Sequence, residues 1–162
     1  MSKKSTINKA IIITSCALVI AIGLVFYKFT PNISYTNMIG IDLPKQSTVL
    51  KEEDSHGGFH GDGEYYSEIQ LAEDSVNEFV DDATNTGKWL SLPLSSDIAN
   101  IISIQGHIPQ NLNNGIYFVR DRFAEKYPDQ KDTNINSRYS YNVTISIFDF
   151  DTNILYIYEL DT

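Results

Sequence analysis

Two strand-like segments near the C-terminus constrain the fold of this chain more than any other feature. In residues 141–150, YNVTISIFDF, apolar side chains alternate with asparagine, threonine and serine. Residues 154–160, ILYIYEL, are rich in β-branched and aromatic residues, and the intervening DTN suits a short turn. Because a period of two is that of a strand and not of a helix, the pattern predicts an antiparallel hairpin with one buried face and one polar face.

Two more strands and two short helices are predicted upstream of this hairpin. Residues 65–71 and 115–120 are rich in strand-forming side chains. Residues 76–83 carry apolar side chains at i, i+3, i+4 and i+7, and residues 95–105 begin with serine and stop before Gly106, so both segments are typical of helices. No βαβ alternation is present. We therefore predict an α+β domain, in which an antiparallel sheet carries two short helices on one face.

An uncharged apolar run near the N-terminus predicts a membrane anchor. Residues 10–27 contain no charge and lie between Lys9 and Lys28, a length at the lower end of what spans a hydrocarbon core of roughly 30 Å. Three lysines and the amino terminus precede the run, so the positive-inside rule places residues 1–9 in the cytoplasm. We expect a single transmembrane helix over residues 10–28 in the cell membrane, with the C-terminal domain outside.

Two alternatives would remove this anchor from the mature protein. A signal peptidase could cleave after the small residues Ala21 and Gly23, but the LVFY that follows is still apolar, whereas a cleavage region is normally polar. A lipoprotein could carry its lipid on Cys16, but only four apolar residues precede this cysteine and most of the run follows it. Because Cys16 is the only cysteine, no intramolecular disulfide can form.

Charge separates the N-terminal segment from the rest of the chain. All 21 acidic side chains lie in residues 29–162, a range that contains only eight basic side chains. Such a domain repels nucleic acid and anionic lipid surfaces, so we exclude nucleic acid as a partner and leave membrane contact to residues 10–28. Residues 29–55 contain two prolines and no sustained period, which predicts a stalk or linker that can add a short strand near residues 48–51. The acidic extracytoplasmic α+β domain is expected to comprise residues 56–162.

The glycine-rich segment HGGFHGDGEYY, residues 56–66, is the motif that suggests a metal site. Its imidazoles and carboxylates are donor groups that bind zinc or a similar divalent cation, and we expect no other cofactor. Histidines four residues apart share a face only on a helix, which four glycines disfavour, so the ligands have to converge through loop geometry. The alternative is a glycine-rich turn leading into the strand at residue 65. The candidate metal ligands are His56, His60, Asp62 and Glu64.

Three other chemistries are excluded by features that the chain lacks. HGGF resembles the oxyanion loop of some esterases, but no Gly-x-Ser-x-Gly elbow is present. The glycines precede a strand, whereas a phosphate-binding loop has them between a strand and a helix. Asp149, Asp151 and Asn153 have the spacing that starts a calcium loop, but Ile154 and Leu160 stand where an EF-hand needs glycine and glutamate. A polar hairpin turn accounts for these residues.

Several segments together resemble a group of small membrane-anchored extracytoplasmic proteins of Gram-positive bacteria for which no function is known. These segments are DSHGGFHGDGEYY, WLSLPLS, GIYFVRDR and FDFDTNILYIYELDT, and they fall within residues 54–162. The resemblance implies an extracytoplasmic domain. It implies no reaction, cofactor, partner or functional residue.

Two functional hypotheses follow from the sequence. The first is a membrane-anchored extracytoplasmic interaction module without catalytic activity, which binds an envelope protein or another ligand, because nothing in the sequence assembles a nucleophile, a base and oxyanion donors. The second is a metal-dependent enzyme or a metal-binding protein that uses the His-Gly-Gly-Phe-His-Gly-Asp-Gly segment.

Overall fold

The computed structural model of the chain describes residues 35–57, 61–131 and 133–162. Within these ranges no helix has both the length and the apolar character needed to cross a membrane. The predicted cytoplasmic tail and the predicted transmembrane helix lie outside the described residues. Residues Thr36–Thr162 form one compact unit, and the description below concerns this unit.

Six antiparallel strands form a single sheet in the order β1-β2-β6-β5-β4-β3. The predicted α+β class and the antiparallel sheet are thus confirmed. The C-terminal hairpin, β5 with β6, occupies the centre of the sheet, and β1 and the two-residue β3 form its edges. The strands are β1 (Thr48–Asp54), β2 (Gly63–Gln70), β3 (Leu90–Ser91), β4 (Gly115–Asp121), β5 (Asn142–Asp149) and β6 (Ile154–Asp161).

Three α-helices connect the strands. Helix α1 (Val76–Asn85) continues the 3-10 turn Glu73–Ser75, and helix α2 (Ser96–Gln105) ends at Gly106, which adopts the left-handed conformation with φ of 71°. Glycine is the residue that ends helices in this way at no steric cost. The third helix, α3 (Arg122–Lys126), directly follows β4, and the Asp121 side chain accepts a hydrogen bond from the backbone N–H of Ala124 at its start.

The two longer helices pack on opposite faces of the sheet. Ile145 of β5 belongs to the same buried cluster as Ile101 of α2. On the other face, the ring of Phe148 lies 5.0 Å from the ring of Phe79 of α1. Because successive side chains of a strand point to opposite faces, the odd and even residues of β5 contact different helices. The prediction of two helices on one face is therefore wrong.

The face of β5 that was expected to be polar is buried. Thr144 and Ser146 have no exposed surface, and only the first residue of β5 is partly accessible. Both side chains are small, and the Thr144 hydroxyl donates a hydrogen bond to Glu159 of β6, which satisfies it without solvent. Polar alternation along this strand indicates small side chains beneath a second layer, and not an open face; the buried Ser146 hydroxyl has no hydrogen-bond partner among the described residues.

The folded unit begins earlier than residue 56. Ile39, Ile41 and Leu43 are buried, and the Arg120 guanidinium of β4 donates a hydrogen bond to the Asn37 carbonyl at 2.9 Å. The strand predicted near residues 48–51 is present and runs to Asp54, paired with β2 along its length. The segment from residue 36 onwards, predicted to be part of a stalk, is therefore part of the domain. The isoleucine and leucine residues at alternate positions in this segment were a sequence signal for burial. The prolines of the segment masked that signal by favouring a linker.

The turn between β5 and β6 is the polar hairpin turn that the sequence predicts. Asp149, almost fully buried, accepts a hydrogen bond from the Thr152 hydroxyl at 2.6 Å. Asn153 adopts a positive φ of 56°, a conformation that asparagine tolerates better than most residues. The Asp149 carboxylate thus stabilises the turn locally, and Asp151 accepts a hydrogen bond from the Asn114 side chain at 2.6 Å.

Two isoleucines of α2 provide a test of the packing on its face of the sheet. Ile101 is buried, whereas Ile104, one turn away, is 75% exposed. We expect Ile101→Ala to lower the free energy of unfolding by about 2–5 kcal/mol, because it removes core contacts and leaves a cavity. Ile104→Ala should change it by less than about 0.5 kcal/mol. Denaturation of the full chain, followed by the fluorescence of its only tryptophan, measures both. Equal effects would contradict the assigned orientation of α2.

Candidate functional site: histidines and carboxylates at one end of the sheet

The β1–β2 connection closes tightly around Gly63. The backbone N–H of Ser55 donates to the carbonyl of Glu64 at 2.9 Å, and the N–H of Glu64 donates to the Ser55 hydroxyl at 2.9 Å. A Cβ atom on Gly63 would lie 2.6 Å from the Cα of His56, a distance that no side chain can occupy. Glycine is therefore required where the chain passes His56, and this close approach fixes the position of the imidazole.

His56 lies between two carboxylates. Its Nδ1 is 2.7 Å from Oδ1 of Asp54, and its Nε2 is 3.2 Å from Oδ2 of Asp161. The His56 backbone N–H also donates to Asp54 at 2.9 Å. These hydrogen bonds, with the backbone one largest, hold the pKa of the Asp54 carboxyl below its usual value. The arrangement orients the imidazole from one side and presents its second nitrogen to β6.

Arg122 binds the carboxylates of β6 on the same face. Its guanidinium contacts Glu159, donates to Asp161 Oδ1 at 2.6 Å, and donates to the Thr144 hydroxyl at 2.6 Å. The Arg122, Glu159 and Asp161 side chains are each about four-fifths buried, so little solvent screens their charges. Glu159 and Asp161 are two residues apart on one strand, which places both on the face that α1 covers. The result is a partly buried network of a guanidinium, two carboxylates and the imidazole of His56.

A second histidine lies among carboxylates on the opposite face. His107, just beyond α2, stacks on Tyr66 with ring centroids 5.1 Å apart. Its Nδ1 is 3.8 Å from Glu53 and its Nε2 is 3.6 Å from Glu64. Burial raises the pKa of Tyr66, with Glu68 adding to the shift, so its phenol stays neutral while donating to Glu68 at 2.8 Å. Together these side chains border a small cleft of about 200 Å³.

The structure divides the predicted metal ligands between two faces. His56 meets Glu159 and Asp161, whereas Glu64 faces His107 on the other side of the sheet. Asp62 is exposed and belongs to neither group, and His60 lies outside the described residues. Among the described residues, the set that could hold a metal ion is His56, Glu159 and Asp161, which have ligand atoms within 4.8 Å of one another.

The sequence analysis missed the partners of His56 because they are remote in sequence. The register of β2 against β6 pairs Gly63 with Asp161, and this pairing brings the C-terminus of the chain to the glycine-rich loop. A partial signal exists in the tail ELD, since two carboxylates at alternate positions of a strand share a face. The missing information was the identity of the strand that pairs with residues 63–70.

A separate acidic groove lies beside α1. It has a volume of about 490 Å³, and buried Phe79 and Leu43 contribute to its lining. Its polar lining has four exposed carboxylates against one lysine, Lys45. Three of these carboxylates follow one another at intervals of four residues along the 3-10 turn and α1, so they form a stripe on one side of the helix. The four acidic residues are Asp42, Asp74, Glu78 and Asp82.

Glu78, in the first turn of α1, is favoured by the helix dipole, but the acidic stripe as a whole is not explained by helix stability. Like charges four residues apart destabilise a helix by about 0.2–0.5 kcal/mol per pair. Asp82 lies in the C-terminal half of α1, where the helix dipole favours positive charge, and the last turn contains no basic residue. Within the described part of the chain, none of the four groove carboxylates forms an ion pair. Their negative charge is therefore available to a partner.

Comparison with models of known protein families, with curated proteins and with solved structures found no match.

The requirement for glycine at position 63 is testable with a matched pair. We expect Gly63→Ala to lower the free energy of unfolding by about 1–3 kcal/mol, because its Cβ forces the His56 backbone to move. Gly57→Ala in the same loop, whose Cβ would meet only the Ser55 carbonyl at 3.9 Å, should cost less than about 0.5 kcal/mol. Denaturation of the full chain measures both variants. A Gly63→Ala protein as stable as Gly57→Ala would contradict the close approach.

Proposed function

We propose that this protein is a membrane-anchored extracytoplasmic binding module that holds a positively charged partner in the acidic groove beside α1. The apolar run of residues 10–28 would anchor it, and the acidic unit from residue 36 onwards would stand outside the membrane. We propose binding and not catalysis as its role, with an envelope protein as the partner.

The single observation that carries this proposal is the set of four groove carboxylates, none of which forms an ion pair within the described residues, although Asp42 accepts a hydrogen bond from the Thr36 hydroxyl. An exposed carboxylate without an ion-pair partner keeps its full charge for an incoming cation, and several at one concave surface focus the field between them. Among the described residues that line the groove, Lys45 is the one basic side chain, so this lining has a negative balance. Cationic side chains of a partner would meet complementary charge there.

The apolar part of the lining favours a peptide segment over a free ion. Phe79 is 1% exposed and Leu43 is 6% exposed, so they form a fixed base, and partly exposed Pro44 provides the apolar wall that a ligand can contact. Lysine and arginine have long aliphatic stems that pack on such a wall while their charged ends reach carboxylates. The groove volume of about 490 Å³ is within the range of ligand-binding clefts. We therefore propose a basic, extended segment of a partner protein as the occupant.

Binding of an oligolysine peptide to the full chain in detergent micelles tests this proposal. We expect the combined variant Asp74→Asn, Glu78→Gln and Asp82→Asn to weaken binding about tenfold at low ionic strength, because three charge contacts of modest strength are removed. Fluorescence anisotropy of the labelled peptide is the measurement. The difference from the unaltered protein should shrink as salt is added.

A control with the same change in charge separates the groove from general attraction. Glu73→Gln, Asp81→Asn and Asp129→Asn remove three exposed carboxylates that do not line the groove. We expect this variant to bind the peptide within about twofold of the unaltered protein, because none of the three carboxylates lines the groove and solvent screens exposed charges outside it. An equal loss in both variants, or no binding by the unaltered protein, would contradict the groove as the binding surface.

The proposed topology has its own test. Protease added to intact protoplasts should remove the unit Thr36–Thr162 while a tag placed before residue 1 remains protected. Permeabilised cells, in which both parts are digested, are the control for protease activity. Survival of the full-length chain on intact protoplasts would contradict an outside location.

A further inference from the structure

We propose that His56, Glu159 and Asp161 form a binding site for a divalent transition-metal ion, with Zn²⁺ as the ion that the donor set fits best. The three side chains come from the β1–β2 loop and from β6, and their ligand atoms lie within 4.8 Å of one another. One imidazole nitrogen with two carboxylates suits zinc, which takes three protein ligands and leaves a fourth position for water. Calcium and magnesium, which prefer oxygen ligands alone, suit the set less well.

Asp54 prepares the imidazole for this role. Its Oδ1 lies 2.7 Å from Nδ1 of His56, and the His56 backbone N–H fixes the same carboxylate at 2.9 Å. When Nδ1–H donates to Asp54, the lone pair of the imidazole is on Nε2, which points towards β6. Metal-binding histidines have this carboxylate behind them, because it sets the tautomer and makes the ligand more basic.

The surroundings of His56 Nε2 favour a cation between this atom and the Asp161 carboxylate. This atom is buried, and although Oδ2 of Asp161 is 3.2 Å away, the pair is not aligned as a hydrogen bond. A lone pair on Nε2 facing a carboxylate oxygen is repulsive. A proton or a metal ion between the two atoms removes this repulsion, and a metal ion also recruits the Glu159 carboxylate.

The charge balance of the cluster leaves room for a metal ion. The carboxylates of Asp54, Glu159 and Asp161 surround the site, and Arg122 is the permanent cation bound to two of them. Arg122 contacts Oδ1 of Asp161, whereas Oδ2 faces the imidazole. Asp161 can thus keep its bond to Arg122 while its other oxygen binds the ion. Arg122 acts as a competing cation, so its removal should strengthen metal binding.

The His107 cluster provides an internal control of similar composition. His107 also lies among two carboxylates at the same end of the sheet, but Glu53 faces one ring nitrogen and Glu64 faces the other. Because the two carboxylates lie beside different ring nitrogens, one metal ion could not contact a single nitrogen of His107 together with both carboxylates. The ring is also stacked on Tyr66. A protein that bound zinc equally at both histidine clusters would lose part of its zinc binding when either His56 or His107 was replaced.

Titration of Zn²⁺ into the metal-free full chain in detergent micelles, followed by calorimetry, tests the site. We expect one ion per chain, with affinity reduced more than tenfold in His56→Ala and unchanged within about twofold in His107→Ala. Asp54→Asn, which does not remove a ligand, should weaken binding about tenfold. Arg122→Gln should tighten it. Tryptophan fluorescence in the absence of zinc checks that each variant is folded.

If His56→Ala does not fold, the opposite effects expected of Asp54→Asn and Arg122→Gln still test the proposal. Loss of stability alone would shift Asp54→Asn and Arg122→Gln in the same direction, whereas a metal site predicts weaker binding in the first and tighter binding in the second. Three results would overturn the proposal: no zinc bound by the unaltered chain, equal affinity in His56→Ala, or binding that appears only in Arg122→Gln. In the last case the guanidinium closes the site in the native protein.

Discussion

The pairing of β5 with β6 is the interaction on which the rest of the structure depends. The two strands are neighbours in sequence, pair over their full length and lie at the centre of the sheet. Each strand is buried on its two faces, because α1 packs on one face of the hairpin and α2 packs on the other. A hairpin with a four-residue turn forms locally, and its apolar side chains then favour burial by elements from the rest of the chain.

The same central position concentrates charge at one end of the sheet. β6 ends with Glu159 and Asp161 beside the β1–β2 loop, because its partner β2 begins at Gly63. Carboxylates at the end of a central strand are only partly solvated, so they need partners, and Arg122 and His56 are the groups within reach. The histidine on the opposite face, His107, meets a different pair of carboxylates, Glu53 of β1 and Glu64 of β2. This end of the domain thus holds polar side chains in fixed positions, and each of the two histidines has its own carboxylate partners.

The two proposals use the acidic character of the domain in different ways. The groove beside α1 has exposed, unpaired carboxylates over an apolar wall, which suits a broad and salt-sensitive contact with a basic segment. The cluster at the sheet end has partly buried carboxylates that are already engaged, which suits a single small cation bound at short range. The groove and the cluster share no residue, so binding at one does not require binding at the other.

The sequence by itself determined the local elements and the class of the fold. Period-two and helical patterns, together with Gly106 and the polar DTN turn, placed β2, β4, β5, β6, the two longer helices and the α+β class because these depend on neighbouring residues, whereas the two-residue β3 and the short α3 were not predicted. Only the tertiary structure decided that the helices cover opposite faces, that residues from 36 onwards join the core, and that His56 meets Asp161 and not Glu64. Those facts depend on the strand order β1-β2-β6-β5-β4-β3, which pairs residues about one hundred positions apart and which no local pattern encodes.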